Sequence, residues 1–454
     1  MNRISVFILL AAISLGSLVG CGGRGTRRGT ASEEQITTSG TTVVTTNVDA
    51  DVVDTPVKEY KINVYLENSG SMNGFINQNS EFQDAFQRLT ALLKHHYEES
   101  NLSMNYINTK IHPRPKPTNV DLLDFAEQLV KPQQFKSVGN VGSTDLNNIV
   151  EMILKEIEND EISILVSDCI YSISGSGTTT SMLATCKNKT FSHFLDKSKT
   201  FSDLSTLIIA MNSSFSGNYW DYKHPSGAAS QVLNCSRPYY ICVFGSSSAV
   251  NNFNEKISVE ELNGYADRLL LTTVDKISLA YNTLSTSYKT GQFRMRAENT
   301  LSDLRKSGDG RFEFAIAADM SNMPMTDVEK MNASNYETSN SHYVVSSVIP
   351  IEDNMPGINP NDRATINRIN ATHILCISNN GPLSPTNLQI KIKNALPTWV
   401  SNQSSIDDTT IGIDNDEQAK TFGLEYFVKG MFDAYRENTP EKDYLKTLQV
   451  VIKQ

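Results

Sequence analysis

Three short segments of this 454-residue chain gather oxygen side chains at spacings that chemistry can use. The first is Glu67-Asn68-Ser69-Gly70-Ser71, the second Gly142-Ser143-Thr144-Asp145, the third Ser167-Asp168. Carboxylates and hydroxyls are hard ligands, suited to Mg²⁺, Mn²⁺ or Ca²⁺ and poorly suited to zinc or copper. Softer chemistry has no comparable support. Seven His and six Cys are scattered without a CxxC or HExxH pattern. His95 and His96 are neighbours on a helix and face apart. No GxSxG nucleophile elbow occurs, and Gly139-Asn140-Val141-Gly142-Ser143-Thr144 lacks the lysine of a phosphate loop. With no general base beside the oxygen cluster, a binding protein is expected rather than an enzyme; a metal-dependent hydrolase is the remote alternative.

Regular elements must position these segments. Ile62 to Leu66 reads as a strand ending at Glu67, and Phe82, Phe86, Leu89, Leu93 and Tyr97 mark one helix face. Further strands are expected at Leu102 to Ile111, Ile162 to Val166, Leu207 to Met211 and Tyr239 to Phe244. Helices are expected at Val120 to Leu129, Leu146 to Ile157, Phe191 to Lys199 and Asn251 to Tyr265. Such alternation predicts an α/β domain over residues 58–265 with a doubly wound, mostly parallel sheet, whose ligands sit beyond the carboxyl ends of the strands. The three oxygen segments all fall at such ends.

Together they resemble a von Willebrand factor type A (vWA) domain, whose metal ion-dependent adhesion site uses an Asp-x-Ser-x-Ser loop, a distant Thr and a later Asp. The resemblance covers under half of the chain. It implies a metal site of Glu67, Ser69, Ser71, Thr144 and Asp168, an Mg²⁺, Mn²⁺ or Ca²⁺ cofactor, and a protein partner that places a carboxylate on the ion. Position 67 departs from the family, carrying Glu in place of Asp and so one methylene more. After the Leu207 to Met211 strand, Phe215, Tyr219, Trp220 and Tyr222 form an aromatic loop: either a partner-binding surface or packing against the second domain.

Residues 266–454 change pattern. Phe312, Phe314 and Ile316, and again Leu388, Ile390 and Ile392, alternate with polar or small neighbours, which predicts a β-rich α+β accessory domain. Leu424, Phe427, Val428, Met431, Phe432 and Tyr435 mark an amphipathic helix near its end.

The first twenty residues place the protein. One basic residue, Arg3, precedes an apolar stretch from Ile4 to Val19, ending at Cys21 behind small residues. This resembles the lipobox of bacterial lipoproteins and implies lipidation of Cys21. The stretch is short and serine-interrupted for spanning roughly 30 Å of hydrocarbon. Gly22 at the next position, in place of the aspartate of inner-membrane retention, favours the outer membrane. Residues 21–57, rich in Gly, Ser and Thr, read as a flexible linker. The expected function is therefore an envelope lipoprotein whose metal-site domain mediates protein binding or adhesion. The alternative is an envelope assembly scaffold using the same fold without metal. With 50 acidic against 40 basic side chains and a formal charge of −10, nucleic acid is not an expected partner. Of the other five cysteines, Cys169, Cys242 and Cys376 are expected to be buried thiols, while Cys186 and Cys235 are expected in loops.

Overall fold

The computed structural model describes residues 59–453 except 77–78, 143, 174, 225–227, 274–276, 353–354, 438 and 440–441. The signal segment, Cys21 and the linker lie outside the described residues, as does Ser143. Among the described residues no helix is long and apolar enough to cross a membrane.

The first half is built on a seven-stranded sheet in the order β3-β2-β1-β4-β6-β5-β7. Its strands are β1 (Lys61–Glu67), β2 (Leu102–Ile107), β3 (Ile111–Pro113), β4 (Glu161–Ser167), β5 (Leu204–Tyr219), β6 (Gln231–Ser246) and β7 (Tyr265–Leu271). Helices α1 (Glu81–His96), α2 (Leu122–Leu129), α3 (Pro132–Phe135), α4 (Leu146–Glu156), α5 (Thr179–Thr200) and α6 (Ser247–Lys256) connect them. Central strand β1 shows why both faces are covered. Ile62, Val64 and Leu66 enter a core with α1, α2 and α6, whereas Tyr65 points into a second core with α4 and α5. Side chains alternate across a strand, so a strand apolar on both faces needs helices on each.

The expected mostly parallel sheet is not what forms. Only β1–β2 and β1–β4 pair in parallel; β2–β3, β4–β6, β5–β6 and β5–β7 are antiparallel. The cause is a long hairpin. After Met211 the chain does not leave the sheet; β5 continues to Tyr219, and β6 returns from Gln231 to lie between β4 and β5. No crossover helix separates β5 from β6, so their pairing must be antiparallel. The aromatic segment read as a loop is therefore largely strand, with Phe215 and Tyr219 buried and Ser214, Ser216 and Asn218 exposed. Similarly, α6 ends at Lys256, and Tyr265 opens edge strand β7 rather than ending a helix.

Beyond β7 the chain builds two facing sheets. One has the order β12-β15-β18-β10-β9, the other β13-β14-β11-β8. These strands are β8 (Tyr281–Thr283), β9 (Gln292–Ala297), β10 (Thr300–Arg305), β11 (Glu313–Ala318), β12 (Tyr336–Thr338), β13 (Tyr343–Pro350), β14 (His373–Asn379), β15 (Thr386–Lys393) and β18 (Tyr444–Ile452), with helices α7 (Asp327–Met331) and α8 (Pro360–Arg368) between them. Phe314, Leu375, Leu388, Ile390 and Leu448 fill the space between the sheets. Between β15 and β18 the chain runs back to the first half through α9 (Thr398–Asn402), β16 (Ser404–Ser405), α10 (Asn415–Gln418), β17 (Thr421–Phe422) and α11 (Leu424–Glu437). Leu424, Phe427, Val428 and Met431 of α11 join the α4–α5 core. Burying each such side chain is worth roughly 1.5–3 kcal/mol, so this return segment is part of the first half's core. Residues 58–454 accordingly form one compact unit.

Candidate metal centre

Glu67 ends β1, and its neighbours are tied down before its own carboxylate is considered. Asn68 donates from Nδ2 to the carbonyls of Phe135 and Val138, at 3.0 and 2.8 Å, and accepts from Asn108. The Gly70 N–H donates to the Val141 carbonyl at 2.8 Å, joining the first loop to the second. Ser71 opens a single 3₁₀ turn, Ser71–Gly74, that sits on β5. That seat needs glycine: a Cβ at Gly74 would lie 2.3 Å from the Phe215 ring, and one at Gly217 would lie 2.9 Å from the Gly74 Cα.

The structure brings the five expected residues together. Thr144 Oγ1 donates to Glu67 Oε1 at 2.9 Å, and the Ser69 and Ser71 hydroxyls are 2.9 Å apart. Thr144 is free for this because Asp145 is the N-cap of α4, accepting from the Asn147 N–H. Nor does Asp168 cap a helix, since α5 begins at Thr179 behind its own cap, Thr178. Asp168 Oδ1 accepts from the Ile170 N–H at 3.2 Å. Asp168 Oδ2, in a side chain 97% buried, has no hydrogen-bond partner. Cys169 follows with φ +52°, a left-handed conformation that is costly for a residue with a Cβ.

Electrostatics follow from this burial. Loss of solvent raises the pKa of both carboxylates, and the proximity of Asp168 adds to the rise at Glu67, which is pushed up to about 7. The hydroxyls of Ser167, Ser69 and Thr144 pull Glu67 partly back, and that of Ser71 does the same for Asp168.

Sequence reasoning missed two contributors. Ser167 donates to Glu67 Oε2 and accepts from the Cys169 N–H; the Ser-Asp pair at the strand end was its only signal. Arg237, 1% exposed on β6, donates to the carbonyls of Gln418 and Lys420 and lies over the Tyr219 ring at 4.7 Å. Its charge favours ionised Asp168.

The donor set is two carboxylates and three hydroxyls, all oxygen. Among the described residues no group of three or more His, Cys, Asp or Glu forms a metal-holding set. If a hard dication binds here, Glu67, Ser69, Ser71, Thr144 and Asp168 are the residues that would hold it, and the orphan oxygen of Asp168 fits such an ion.

Above the hydroxyls opens a cleft of about 300 Å³, bounded by Ser69, Ser71, Thr144, Trp220, Tyr222 and Phe422 among others. The four aromatics expected as one loop are split between core and cleft. Phe215 packs edge-on against Phe75 at 5.0 Å, and Tyr219 is buried with its hydroxyl donating to Asp408 at 2.7 Å. Trp220 and Tyr222 line the cleft, and Tyr222 stacks on Phe422 at 5.3 Å. All five described cysteines are free thiols. Cys186 and Cys235 lie on α5 and β6 rather than in loops.

Compared with protein-family models, curated proteins and solved structures, the chain finds no match. A functional reading therefore stands on the site itself.

Proposed function

We propose that this protein is a lipid-anchored envelope protein that binds one divalent cation, Mg²⁺, Mn²⁺ or Ca²⁺, and holds a protein partner through it. The ligands are Glu67, Ser69, Ser71, Thr144 and Asp168, in the manner of a vWA metal loop set on a mixed sheet. Asp168 Oδ2 carries the reading: a buried carboxylate oxygen without a donor, adjacent to a second buried carboxylate, is costly while both are ionised, and a bound cation would offset that cost. Mg²⁺ keeps part of its water shell in such sites, which leaves room for a partner's carboxylate. Calorimetric titration with Mn²⁺ tests the reading; one saturable site is expected in the wild type and none in Asp168→Ala.

A second reading is favoured by Glu67. Thr144 and Ser167 already donate to its two oxygens, so half of the cluster is satisfied without metal, as in a scaffold that keeps the loop and not the ion. No heat of Mn²⁺ binding in the wild type would select it. The anchor rests on the Ile4 to Cys21 segment alone. Cys21→Ser is expected to release the protein from the membrane fraction; retention in high salt would contradict lipid anchoring.

A further inference from the structure

The cleft is lined by more than the candidate metal ligands. Its apolar wall is built from Trp220 and Tyr222, both half-buried, with Ile170 and Ile173 beside them. Among the described residues no Lys, Arg or His lines it, and its charged side chains are Asp221 and Asp408. Both carboxylates are already supplied with donors. Asp408 accepts from the Tyr219 hydroxyl at 2.7 Å on one oxygen and from the Tyr222 N–H at 3.0 Å on the other. Asp221 Oδ1 accepts from the N–H groups of Lys223 and His224, at 2.9 and 3.1 Å. Each carboxylate oxygen has two lone pairs, so such a joint still accepts a further donor. Asn73 lines the cleft as well, and its Oδ1 has no hydrogen-bond partner. The polar side of the cleft is therefore rich in acceptors.

We infer that the cleft takes a neutral sugar, one pyranose ring whose C–H face packs on Trp220 and whose hydroxyls donate to the acceptors around it. Charge excludes the other small ligands. An anion would meet Asp221 and Asp408 with no cation of the lining to offset them. A cation finds both carboxylates engaged, and the Lys223 ammonium already lies over the Tyr222 ring, 5.5 Å from its centre. What remains is an uncharged ligand with several donors and one apolar face. A pyranose ring has both, with hydroxyls around its rim and C–H groups across its face. The volume agrees: about 300 Å³ is at the small end of ligand sites, where apolar burial supplies affinity and a few polar groups fix orientation. The inference goes beyond the metal reading and does not depend on it.

The test uses the purified protein and the methyl glycosides of glucose, galactose, mannose and N-acetylglucosamine, with glucuronate and glucosamine as charged controls. Binding is read by saturation-transfer NMR and calorimetry, in EDTA and in millimolar Mg²⁺, with the melting temperature of each variant recorded as a check on folding. At least one neutral glycoside should bind in both media, and more tightly than either charged control. Trp220→Ala should weaken it roughly tenfold, and Trp220→Phe, which keeps a ring, should weaken it less. Glu127→Ala, in the separate polar cleft beside α1, should leave it unchanged. A linear tetrasaccharide of the preferred sugar separates two sources of the same ligand: tighter binding than the single ring identifies a glycan chain, equal binding a free sugar or a chain end. No binding of any neutral glycoside at tens of millimolar overturns the inference, as does binding that Trp220→Ala leaves intact. Binding that vanishes in EDTA also overturns it, because the sugar would then sit on the ion. Failure of Mg²⁺ to shift the melting temperature removes the metal reading and leaves this one standing.

Discussion

Two buried aspartates, one in each half of the molecule, meet opposite fates. Asp362, 2% exposed at the start of α8, is saturated with donors. Its Oδ1 accepts from the N–H and hydroxyl of Ser285, and its Oδ2 from the Thr286 N–H and from the N–H and hydroxyl of Ser287, all within 3.0 Å. Burial alone would raise its pKa, but these donors hold it down at about 2. Asp168 is equally buried, is reached by the Ile170 N–H and influenced by the Ser71 hydroxyl, and keeps one oxygen unpartnered, with its pKa raised. The first is a finished structural joint. The second keeps a buried oxygen that no donor of the described chain reaches, the form that the proposed ligand role requires. Burial of a carboxylate therefore says little about its role; the number of donors aimed at it separates the two.

The sharpest way to break this comparison is to remove each carboxylate from metal-free protein. Asp362→Ala leaves five donors without their acceptor and should cost roughly 3 kcal/mol or more in chemical denaturation. Asp168→Ala removes an under-solvated charge and should leave stability unchanged or higher. Equal losses for the two variants would make Asp168 a structural joint as well.

A smaller effect is expected where the metal loop is seated. Gly74→Ala should cost roughly 1–3 kcal/mol, since its methyl group meets the fixed Phe215 ring. The same substitution should weaken metal binding by displacing Ser71. Wild-type stability with intact metal binding would show that the 3₁₀ turn yields without consequence.

The pH dependence distinguishes the two carboxylates by sign. Glu67 has a folded pKa above its unfolded value, so the native state binds more protons between about pH 4.5 and pH 7. Metal-free stability from this group is therefore present at low pH and falls as pH rises through the folded pKa. Asp362 does the reverse, contributing stability above its unfolded pKa that is lost as pH falls toward about 2. Metal requires the ionised form of Glu67, so the Mg²⁺ effect should grow from pH 5 to pH 8. Denaturation across this range with and without Mg²⁺ checks it; an Mg²⁺ effect independent of pH would remove Glu67 from the ligand set.

Much of the site was legible because its residues sit where elements end. The apolar run Ile62 to Leu66 placed Glu67 at a strand terminus, and the helical face from Leu146 placed Thr144 just ahead of a helix. The β5–β6 hairpin was not legible. Between Met211 and Tyr219 the outward positions are Ser214, Ser216 and Asn218, the sequence includes Gly217, and one buried position is Ser213, so a strand whose buried apolar side chains there are Phe215 and Tyr219 alone has the composition of a loop. With the hairpin hidden, the sheet read as mostly parallel. Arg237, Asp408 and Phe422 were also out of reach, since they lie 170, 341 and 355 residues beyond Glu67 and meet the site only through the hairpin and the return segment. No local pattern encodes such contacts.

The central claim is that Asp168 and Glu67 hold a metal ion. The direct measurement is the melting temperature of wild type, Asp168→Ala and Glu67→Asp at pH 8, in EDTA and in millimolar Mg²⁺ or Mn²⁺. A ligand bound only by the folded state stabilises it by mass action. The account predicts that the ion raises the wild-type melting temperature by several degrees and leaves Asp168→Ala unmoved. Glu67→Asp should show a smaller rise, because Glu67 reaches the hydroxyls of both Thr144 and Ser167 with its longer side chain. No ion-dependent rise in either wild type or Glu67→Asp would contradict the claim.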